Sequence, residues 1–194
     1  MRAVRPTLSF PPELLLLARG PADGLRAAIF DVDGVLTDGR ILVGADGEAL
    51  KAFSTLDGHG LKLLGRAGIE PVVISGRDSP ALRRRIAELG IAHAACGAGD
   101  KLAAAERVLA ALGIGWDTVA AMGDDWPDLP LLARAAFACV PPGAHAEVRA
   151  IADHVTRAAA GHGAVRECCD LLLMAAGRYA ELLEAGLGTL DAAP

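Results

Sequence analysis

The sequence predicts an α/β fold in which helices cover both faces of a parallel β-sheet. Apolar residues make up 53% of the 194 residues, but aromatic residues make up only 4%. The core must therefore consist of Ala, Leu, Val and Ile, as is usual where helices pack on a buried sheet. Short apolar runs also alternate with helical patterns along the chain, and Gly-rich connections join them. This alternation is typical of parallel sheets with right-handed crossovers.

The first third of the chain predicts a strand, a hairpin and a helix. A short helix is expected at 11–19, and the run LRAAIFDV (25–32) predicts the first buried strand. Two apolar runs surround the sequence GADGE, which contains an Asp-Gly turn, and together they predict a β-hairpin at about 40–53. The hairpin is an insertion before the predicted helix HGLKLLGRAG (59–68).

The remaining elements continue the alternation of strand and helix. We predict strand 70–76, helix 79–89, strand 91–96, helix 100–113, strand 118–124, helix 127–135, strands 135–140 and 152–156, and a last helix at 164–183. The domain then covers 25–177, with an N-terminal extension at 1–24 and a C-terminal tail at 178–194. We expect the tail to fray after Gly186.

Charge and cysteine content narrow the class of protein. The net charge of −5 leaves no positive field that would attract nucleic acid or an anionic membrane. The leucine run in PPELLLLAR is too short to span a membrane, and the pattern of a signal peptide is missing. No Cys-x-x-Cys spacing occurs, so we expect buried free thiols at Cys96, Cys139, Cys168 and Cys169. These features favour a cytoplasmic protein.

Polar side chains follow the predicted strands at the points where the strands end. They are Asp31 and Asp33 after the first strand, Ser75 and Arg77 after the second, Lys101 at a helix start, and Asp124, Asp125 and Asp128 after TVAAM. Ligands of open parallel sheets bind outside the carboxyl ends of the strands, where these side chains converge. Clustered carboxylates repel one another unless a cation neutralises them, and hard oxygen ligands suit Mg²⁺. We therefore expect a Mg²⁺ site at Asp31 and Asp124.

The metal, Lys101 and Arg77 would together select an anionic group such as phosphate. Residues i and i+2 of an extended segment project to the same side, so Asp31 and Asp33 can address one substrate. One acid can serve as a nucleophile that forms an aspartyl-phosphate, while the other donates a proton and later activates water. The alternative is that both acids simply end a strand and begin a turn.

Four motifs carry a resemblance to a known family. DVDGVLTDG, VVISGR, GDKL and MGDDWPD, in this order, closely resemble the motifs of the haloacid dehalogenase superfamily of phosphohydrolases, over roughly residues 25–175. The resemblance implies a Rossmann-like sheet with Asp31 as nucleophile and Asp33 as acid/base. It also implies that Ser75 and Lys101 bind phosphate, and that Asp124 binds the metal together with the Asp33 backbone carbonyl.

A narrower resemblance follows from the missing cap domain, for which the chain has no room. GVLTDGRILVGADGEALKAFSTLDGHGLKLL and GHGAVRECCDLLL look like the 3-deoxy-D-manno-octulosonate 8-phosphate (KDO 8-phosphate) phosphatases, which are capless. That resemblance implies a homotetramer in which a neighbouring subunit covers the active site. The substrate contacts it implies are Asp33, Ser54, Thr55, Leu56, Asp57, Gly58, Lys62, Arg77, Arg85 and Lys101.

The chain departs from the family pattern at two of these positions. Lys62 is often Arg in the family, and Leu56 stands where some members carry a basic residue. A lysine keeps the charge but loses the bidentate geometry of arginine. We therefore expect Arg77, rather than Lys62, to bind the carboxylate of a sugar acid.

Structural alternatives exist for several site residues. Ser75 could cap the helix that follows it, and Lys101 could be an ordinary surface lysine in a first helical turn. Asp125 and Asp128 lie near a helix N-terminus, where acids are favoured without a metal, so we expect them to support the ligands rather than to bind the ion.

The sequence thus predicts a cytoplasmic, Mg²⁺-dependent phosphatase for KDO 8-phosphate, acting in lipopolysaccharide precursor synthesis. One alternative is a phosphatase for a nine-carbon sugar acid 9-phosphate. The other is a non-catalytic regulatory or oligomerisation module, against which the presence of Asp31, Asp33, Lys101 and Asp124 argues.

Overall fold

The computed structural model describes residues 5–45 and 47–188, and its centre is a sheet of six parallel strands. The order across the sheet is fifth, fourth, first, sixth, seventh and eighth strand, and the second and third form a separate antiparallel pair. The strands are β1 Ala27–Phe30, β2 Leu42–Gly44, β3 Gly47–Leu50, β4 Glu70–Ser75, β5 His93–Cys96, β6 Val119–Met122, β7 Phe137–Val140 and β8 His154–Val155.

Helices cover both faces of the sheet, so the predicted α/β architecture is confirmed. They are α1 Pro12–Arg19, α2 Thr55–Arg66, α3 Pro80–Leu89, α4 Lys101–Leu112, α5 Leu129–Leu132, α6 Ala146–Ala150, α7 Ala164–Ala175 and α8 Tyr179–Gly188. One apolar cluster lies on the face covered by α2 and α7, and a second lies on the face covered by α4 and α5. In the described part of the chain, no helix combines the length and apolarity needed to cross a bilayer.

Local signals explain where the helices begin and end. Ser79 accepts a hydrogen bond from Leu82 N and caps α3, which starts with Pro80 and ends at Gly90 in the left-handed region. Helices prefer a hydroxyl acceptor before the first turn, proline within it and glycine after the last turn. In α4, Asp100 and Gly113 play the same two roles.

The structure differs from the predicted elements in the last third of the chain. The single helix predicted at 164–183 is two helices, because Gly177 at φ 70° turns the chain between α7 and α8. The helix predicted at 127–135 is a 3₁₀ turn followed by the short α5, and α6 was not predicted. Helix α8 continues past Gly186, and the predicted tail beyond it, 189–194, lies outside the described residues.

The predicted hairpin is present as β2 and β3, although its strands are shorter than 40–53. Asp46 of its turn lies outside the described residues. Large apolar side chains of the hairpin face solvent, with Val43 74% exposed and Leu50 66% exposed. In the described chain between β1 and α2, this hairpin stands where a cap domain would be inserted. Of the four cysteines, Cys96 is half-buried and the other three are buried, and all are free thiols.

Asp57 ties α2 to the start of α7. Its side chain is buried, and its two carboxylate oxygens accept hydrogen bonds from Gly163 N at 3.3 Å and Arg166 N at 2.8 Å. Because the first amides of a helix have no partner within it, Asp57 supplies an acceptor from another element. Burial raises the pKa of the Asp57 carboxyl, while these amides partly offset that effect.

We predict that Asp57→Ala lowers the free energy of unfolding by about 2 kcal/mol, because one buried and one part-buried amide lose their acceptor. Asp57→Asn should lower it less, since one oxygen remains. Urea unfolding followed by circular dichroism measures both changes. The control Glu106→Ala, at an exposed position of α4, should stay within about 0.5 kcal/mol of the parent. An Asp57→Ala protein as stable as this control would contradict the structural role.

Candidate active site

The carboxyl ends of three neighbouring strands open into a cleft of about 820 Å³. Strand β1 lies between β4 and β6, so the residues that follow these strands are neighbours in space. Asp31 follows β1, Ser75 ends β4, and Asp124 comes just after β6. All three side chains line the cleft, as predicted from the strand ends.

Lys101 connects two carboxylates at the base of the cleft. Its Nζ lies 2.8 Å from Asp31 Oδ1 and 2.7 Å from Asp128 Oδ1, and the residue is only 8% exposed. The alternative of an ordinary surface lysine is therefore wrong. Burial disfavours the charged amine, but Asp31 and Asp128 outweigh burial and raise the pKa of Lys101.

Asp128 supports the site from the 3₁₀ turn after β6. Its Oδ2 accepts hydrogen bonds from Asp124 N at 3.1 Å and Asp125 N at 3.4 Å, while its Oδ1 faces Lys101. The carboxylate is almost fully buried and engaged at both oxygens. It thereby fixes the backbone on which Asp124 is carried.

Carboxylate oxygens of Asp31, Asp124 and Asp128 lie within 4.8 Å of one another, which is close enough to share one ion. Six aspartates line the cleft against two cationic side chains, namely Asp31, Asp33, Asp100, Asp124, Asp125 and Asp128 against Arg77 and Lys101. Carboxylate oxygens are the ligands of Mg²⁺, and a divalent ion reduces this excess of negative charge. The residues present therefore fit a Mg²⁺ site.

The same crowding changes the proton affinities of the two acids. Burial, followed by the charge of Asp128, raises the pKa of Asp31 to about 6 although Lys101 acts in the opposite direction. Burial, followed by the charge of Asp31, raises the pKa of Asp124 to about 7. Both carboxylates therefore compete with protons near neutral pH unless a cation is bound.

Gly34 makes the approach of Asp124 possible. It lies in the turn Val32–Leu36 after β1 with φ 91°, a backbone conformation that favours glycine. A Cβ atom at this position would clash with the Asp124 carboxylate. The glycine in DVDG thus serves both the turn and the space for the second carboxylate.

Ser75 and Arg77 form the β4 side of the cleft. Ser75 is buried, and its Oγ accepts a hydrogen bond from Arg77 N at 3.2 Å. The alternative that Ser75 caps the next helix is wrong, since Ser79 caps α3. The Arg77 side chain is 50% exposed and therefore available to a ligand.

Lys51 and Glu48, two residues of the hairpin region, reach the site although the sequence analysis did not identify them. Lys51, directly after β3, donates a hydrogen bond to Asp33 Oδ1, and its side chain is 1% exposed. Glu48 of β3 lies 3.3 Å from Arg77 Nη2 and 3.5 Å from Lys51 Nζ. No motif marks these residues, because their approach to Asp33 depends on how the hairpin folds back toward the carboxyl ends of the strands.

Seven of the predicted substrate contacts lie outside the cleft lining of the single chain. Thr55, Leu56 and Lys62 are exposed on α2, and the Asp57 carboxylate serves the start of α7. The other three, Ser54, Gly58 and Arg85, border a small apolar recess beneath α2 and α3. Arg85 there donates to Ser54 O at 3.2 Å. Their substrate contacts stay a prediction.

Known proteins resemble this chain over most of its length. A family model described as haloacid dehalogenase-like hydrolase matches residues 96–167. The KDO 8-phosphate phosphatase KdsC of Escherichia coli K12 is 43% identical over 160 residues, which are 82% of this chain and 85% of that protein.

Solved structures are similar as well. The KDO 8-phosphate phosphatase of Moraxella catarrhalis, in complex with magnesium, phosphate and KDO, is 37% identical with a TM-score of 0.82, covering 92% of this chain and 98% of that one. A probable YrbI family phosphatase from Pseudomonas syringae pv. phaseolica is 40% identical with a TM-score of 0.85, covering 91% and 98%. The predicted haloacid dehalogenase-like fold is confirmed.

We predict that Asp124→Asn stabilises the metal-free protein at about pH 8 and abolishes its stabilisation by Mg²⁺. The pKa of Asp124 is raised from 3.8 to about 7, so the wild-type penalty is absent below about pH 4, grows between about pH 4 and 7, and is complete above that range. Differential scanning fluorimetry with EDTA or Mg²⁺ measures the effect. The metal-free variant should have a higher Tm than the wild type at about pH 8, by about 2–4 °C for each kcal/mol of penalty removed, and the difference should be smaller at about pH 5. Equal Mg²⁺ shifts in both proteins would contradict this metal site.

Proposed function

The chain belongs to the KDO 8-phosphate phosphatase family of haloacid dehalogenase-like hydrolases, and on this premise we propose that it hydrolyses KDO 8-phosphate to KDO and phosphate. The proposed reaction depends on Mg²⁺ and proceeds through an aspartyl-phosphate on Asp31. The observation that carries the proposal is the joint placement of Asp31, Asp124 and Lys101 at one end of the sheet.

Asp31 and Asp33 have successive roles in this proposal. A carboxylate oxygen of Asp31 bonds to the phosphorus, and the bond from phosphorus to the sugar oxygen breaks. Asp33 gives its proton to that oxygen, so the sugar leaves as an alcohol. Asp33 then takes a proton from a water whose oxygen attacks the phosphorus, and the bond to Asp31 breaks. Phosphate is released and both acids return to their starting states.

Lys101 and Ser75 each have one hydrogen-bond donor that is available to bind the phosphate. Lys101 has three N–H donors, of which two point to Asp31 and Asp128, and the third can reach a phosphate oxygen. The Ser75 hydroxyl accepts from Arg77 N, so its own proton is free to bind phosphate. Asp31, Asp124 and the Asp33 carbonyl would hold the Mg²⁺. Bound there, the ion supplies the positive charge that lets a carboxylate approach an anionic ester.

The sugar acid requires a second anion site, which we assign to Arg77. Its planar guanidinium suits the bidentate binding of a carboxylate, and half of the side chain is exposed at the cleft. Lys62 lies on the exposed side of α2, away from the cleft lining. We propose that Lys62, Arg85 and the segment 54–58 contribute to the cleft of a neighbouring subunit.

We further propose that the protein is a homotetramer in which neighbouring subunits cover the clefts. The hairpin presents Leu42, Val43 and Leu50 to solvent on two short strands, and such exposed apolar strands favour pairing with another copy. A covered cleft would also protect the aspartyl-phosphate from bulk water. We place this reaction in the cytoplasm, in lipopolysaccharide precursor synthesis, with no nucleic-acid or membrane partner.

The function is tested by a phosphate-release assay over sugar phosphates. We expect KDO 8-phosphate to be the preferred substrate, with activity lost in EDTA and restored by Mg²⁺. Preference for a nine-carbon sugar acid 9-phosphate would overturn the assigned substrate and leave the mechanism intact. Absence of phosphate release from every ester would favour a non-catalytic module.

We predict that Asp31→Asn lowers kcat by at least about 10³-fold, as expected for a lost nucleophile. Asn has nearly the same shape, so folding and assembly should be unchanged. The control Asp117→Asn, at an exposed position at the opposite end of β6, should keep full activity. Full turnover by Asp31→Asn would refute the mechanism.

We predict that Val43→Asp dissociates the tetramer, because it places a charge on an apolar contact. Multi-angle light scattering measures the mass, and the same samples are assayed for KDO 8-phosphate hydrolysis. We expect smaller species with activity reduced by about tenfold or more, since their clefts lack the substrate contacts that we assign to Lys62, Arg85 and 54–58 of a neighbouring subunit. A wild-type monomer with full activity would contradict coverage by a neighbour.

A further inference from the structure

Four charged side chains form a closed ring beside the cleft. Lys51 Nζ donates to Asp33 Oδ1 and lies 3.5 Å from Glu48 Oε1, while Arg77 Nη2 lies 3.3 Å from Glu48 Oε2. Arg77 Nε, at 3.9 Å from Asp33 Oδ2, closes the ring. The signs alternate, so each carboxylate lies between two cations and each cation between two carboxylates.

The burial of Lys51 shows that the ring is built into the fold. Its side chain is 1% exposed, compared with 18% for Asp33 and 10% for Glu48. An ammonium group that loses its water is stable only where carboxylates replace the hydration. Burial opposes ionisation of Glu48, but a hydrogen bond from Ser79 and the charges of Lys51 and Arg77 outweigh it and lower the pKa of its carboxyl.

We infer that Lys51 is a positioning residue for proton transfer by Asp33. This inference rests on the proposed acid/base role of Asp33. An ammonium group has donors and no acceptor, so the Asp33 oxygen that faces Lys51 carries no proton. Oδ2 lies 3.9 Å from Arg77 Nε, which is too far for a hydrogen bond, so Oδ2 is the oxygen left free to carry the transferable proton.

The geometry gives Lys51 this role in both halves of the reaction. In the first half, the proton leaves Oδ2 for the sugar oxygen as the bond from that oxygen to phosphorus breaks. In the second half, the attacking water returns a proton to Oδ2. Oδ1 faces Lys51 throughout, so the carboxyl group stays in one orientation. The residue directly after β3 thus makes the hairpin a part of the active site.

The experiment compares two esters that differ in their need for a general acid. The sugar would leave its phosphate ester as an unstable alkoxide and therefore needs a proton. The p-nitrophenyl group leaves its ester as a stable phenolate and does not. We expect Lys51→Met to lower kcat/KM for the sugar phosphate by about a hundredfold, within the usual contribution of general acid catalysis. We expect a loss of less than about fivefold for p-nitrophenyl phosphate. A general structural defect would lower kcat for both esters equally, and a displaced Arg77 would raise KM for the sugar phosphate rather than lower its kcat.

Matched variants complete the test. Lys51→Arg keeps the cation and should recover at least about tenfold of the lost activity on the sugar phosphate. Arg40→Met, which removes an exposed cation beside the hairpin, should change neither ester. If Lys51→Met does not fold, the double variant Lys51→Met with Glu48→Gln removes a charge pair together and carries the same expectation. Light scattering verifies that all variants keep the wild-type assembly.

Equal losses on both esters, no loss on either, or no recovery by Lys51→Arg would overturn the inference. The assigned substrate is tested separately, because the comparison uses whichever sugar phosphate the wild-type protein hydrolyses. A protein that prefers another sugar phosphate would therefore refute KDO 8-phosphate as substrate while the Lys51 comparison still decides the role of Lys51.

Discussion

The repulsion between the carboxylates of Asp31 and Asp124 is the constraint on which the site depends. The fold holds both groups within the span of one ion and removes most of their water. Such a pair favours either a proton or a divalent cation, and the cation makes the attack of a carboxylate on a phosphate ester possible. The pair is costly for the metal-free protein, and the surrounding structure has to supply the stability that it removes.

The sheet and the charged side chains around the cleft supply that stability. Strand β1 is buried along its whole length between β4 and β6, so the three strand ends that carry Asp31, Ser75 and Asp124 cannot move independently. Lys101 then holds the Asp31 carboxylate at 2.8 Å and the Asp128 carboxylate at 2.7 Å. Asp128 in turn accepts a hydrogen bond from the backbone amide of Asp124. Lys51 and Glu48, from the hairpin, hold Asp33 and Arg77 in the same way. The reacting groups are thus oriented by elements that were folded before any ligand binds.

The sequence was informative where chemistry follows local pattern. Asp31, Ser75 and Asp124 could be predicted because each ends or follows an apolar strand, and parallel strands bring such ends together. The break at Gly177 was missed because the apolar period of α7 continues into α8, and one glycine does not by itself end a helix pattern. Lys51 and Glu48 were missed because the packing of a hairpin against Asp33 and Arg77 depends on the tertiary structure, which no sequence spacing records. The segment 54–58 was predicted by resemblance, and the single chain leaves it away from the cleft lining.

A crystal structure with Mg²⁺ and beryllium fluoride would show whether Asp31 is the nucleophile and shares the ion with Asp124, since beryllium fluoride bound to a carboxylate mimics an acyl phosphate. We expect beryllium on an Asp31 oxygen, the ion between Asp31 and Asp124, and fluorides contacting Lys101 and Ser75. An ion bound away from that pair, or beryllium on any other carboxylate, would contradict it.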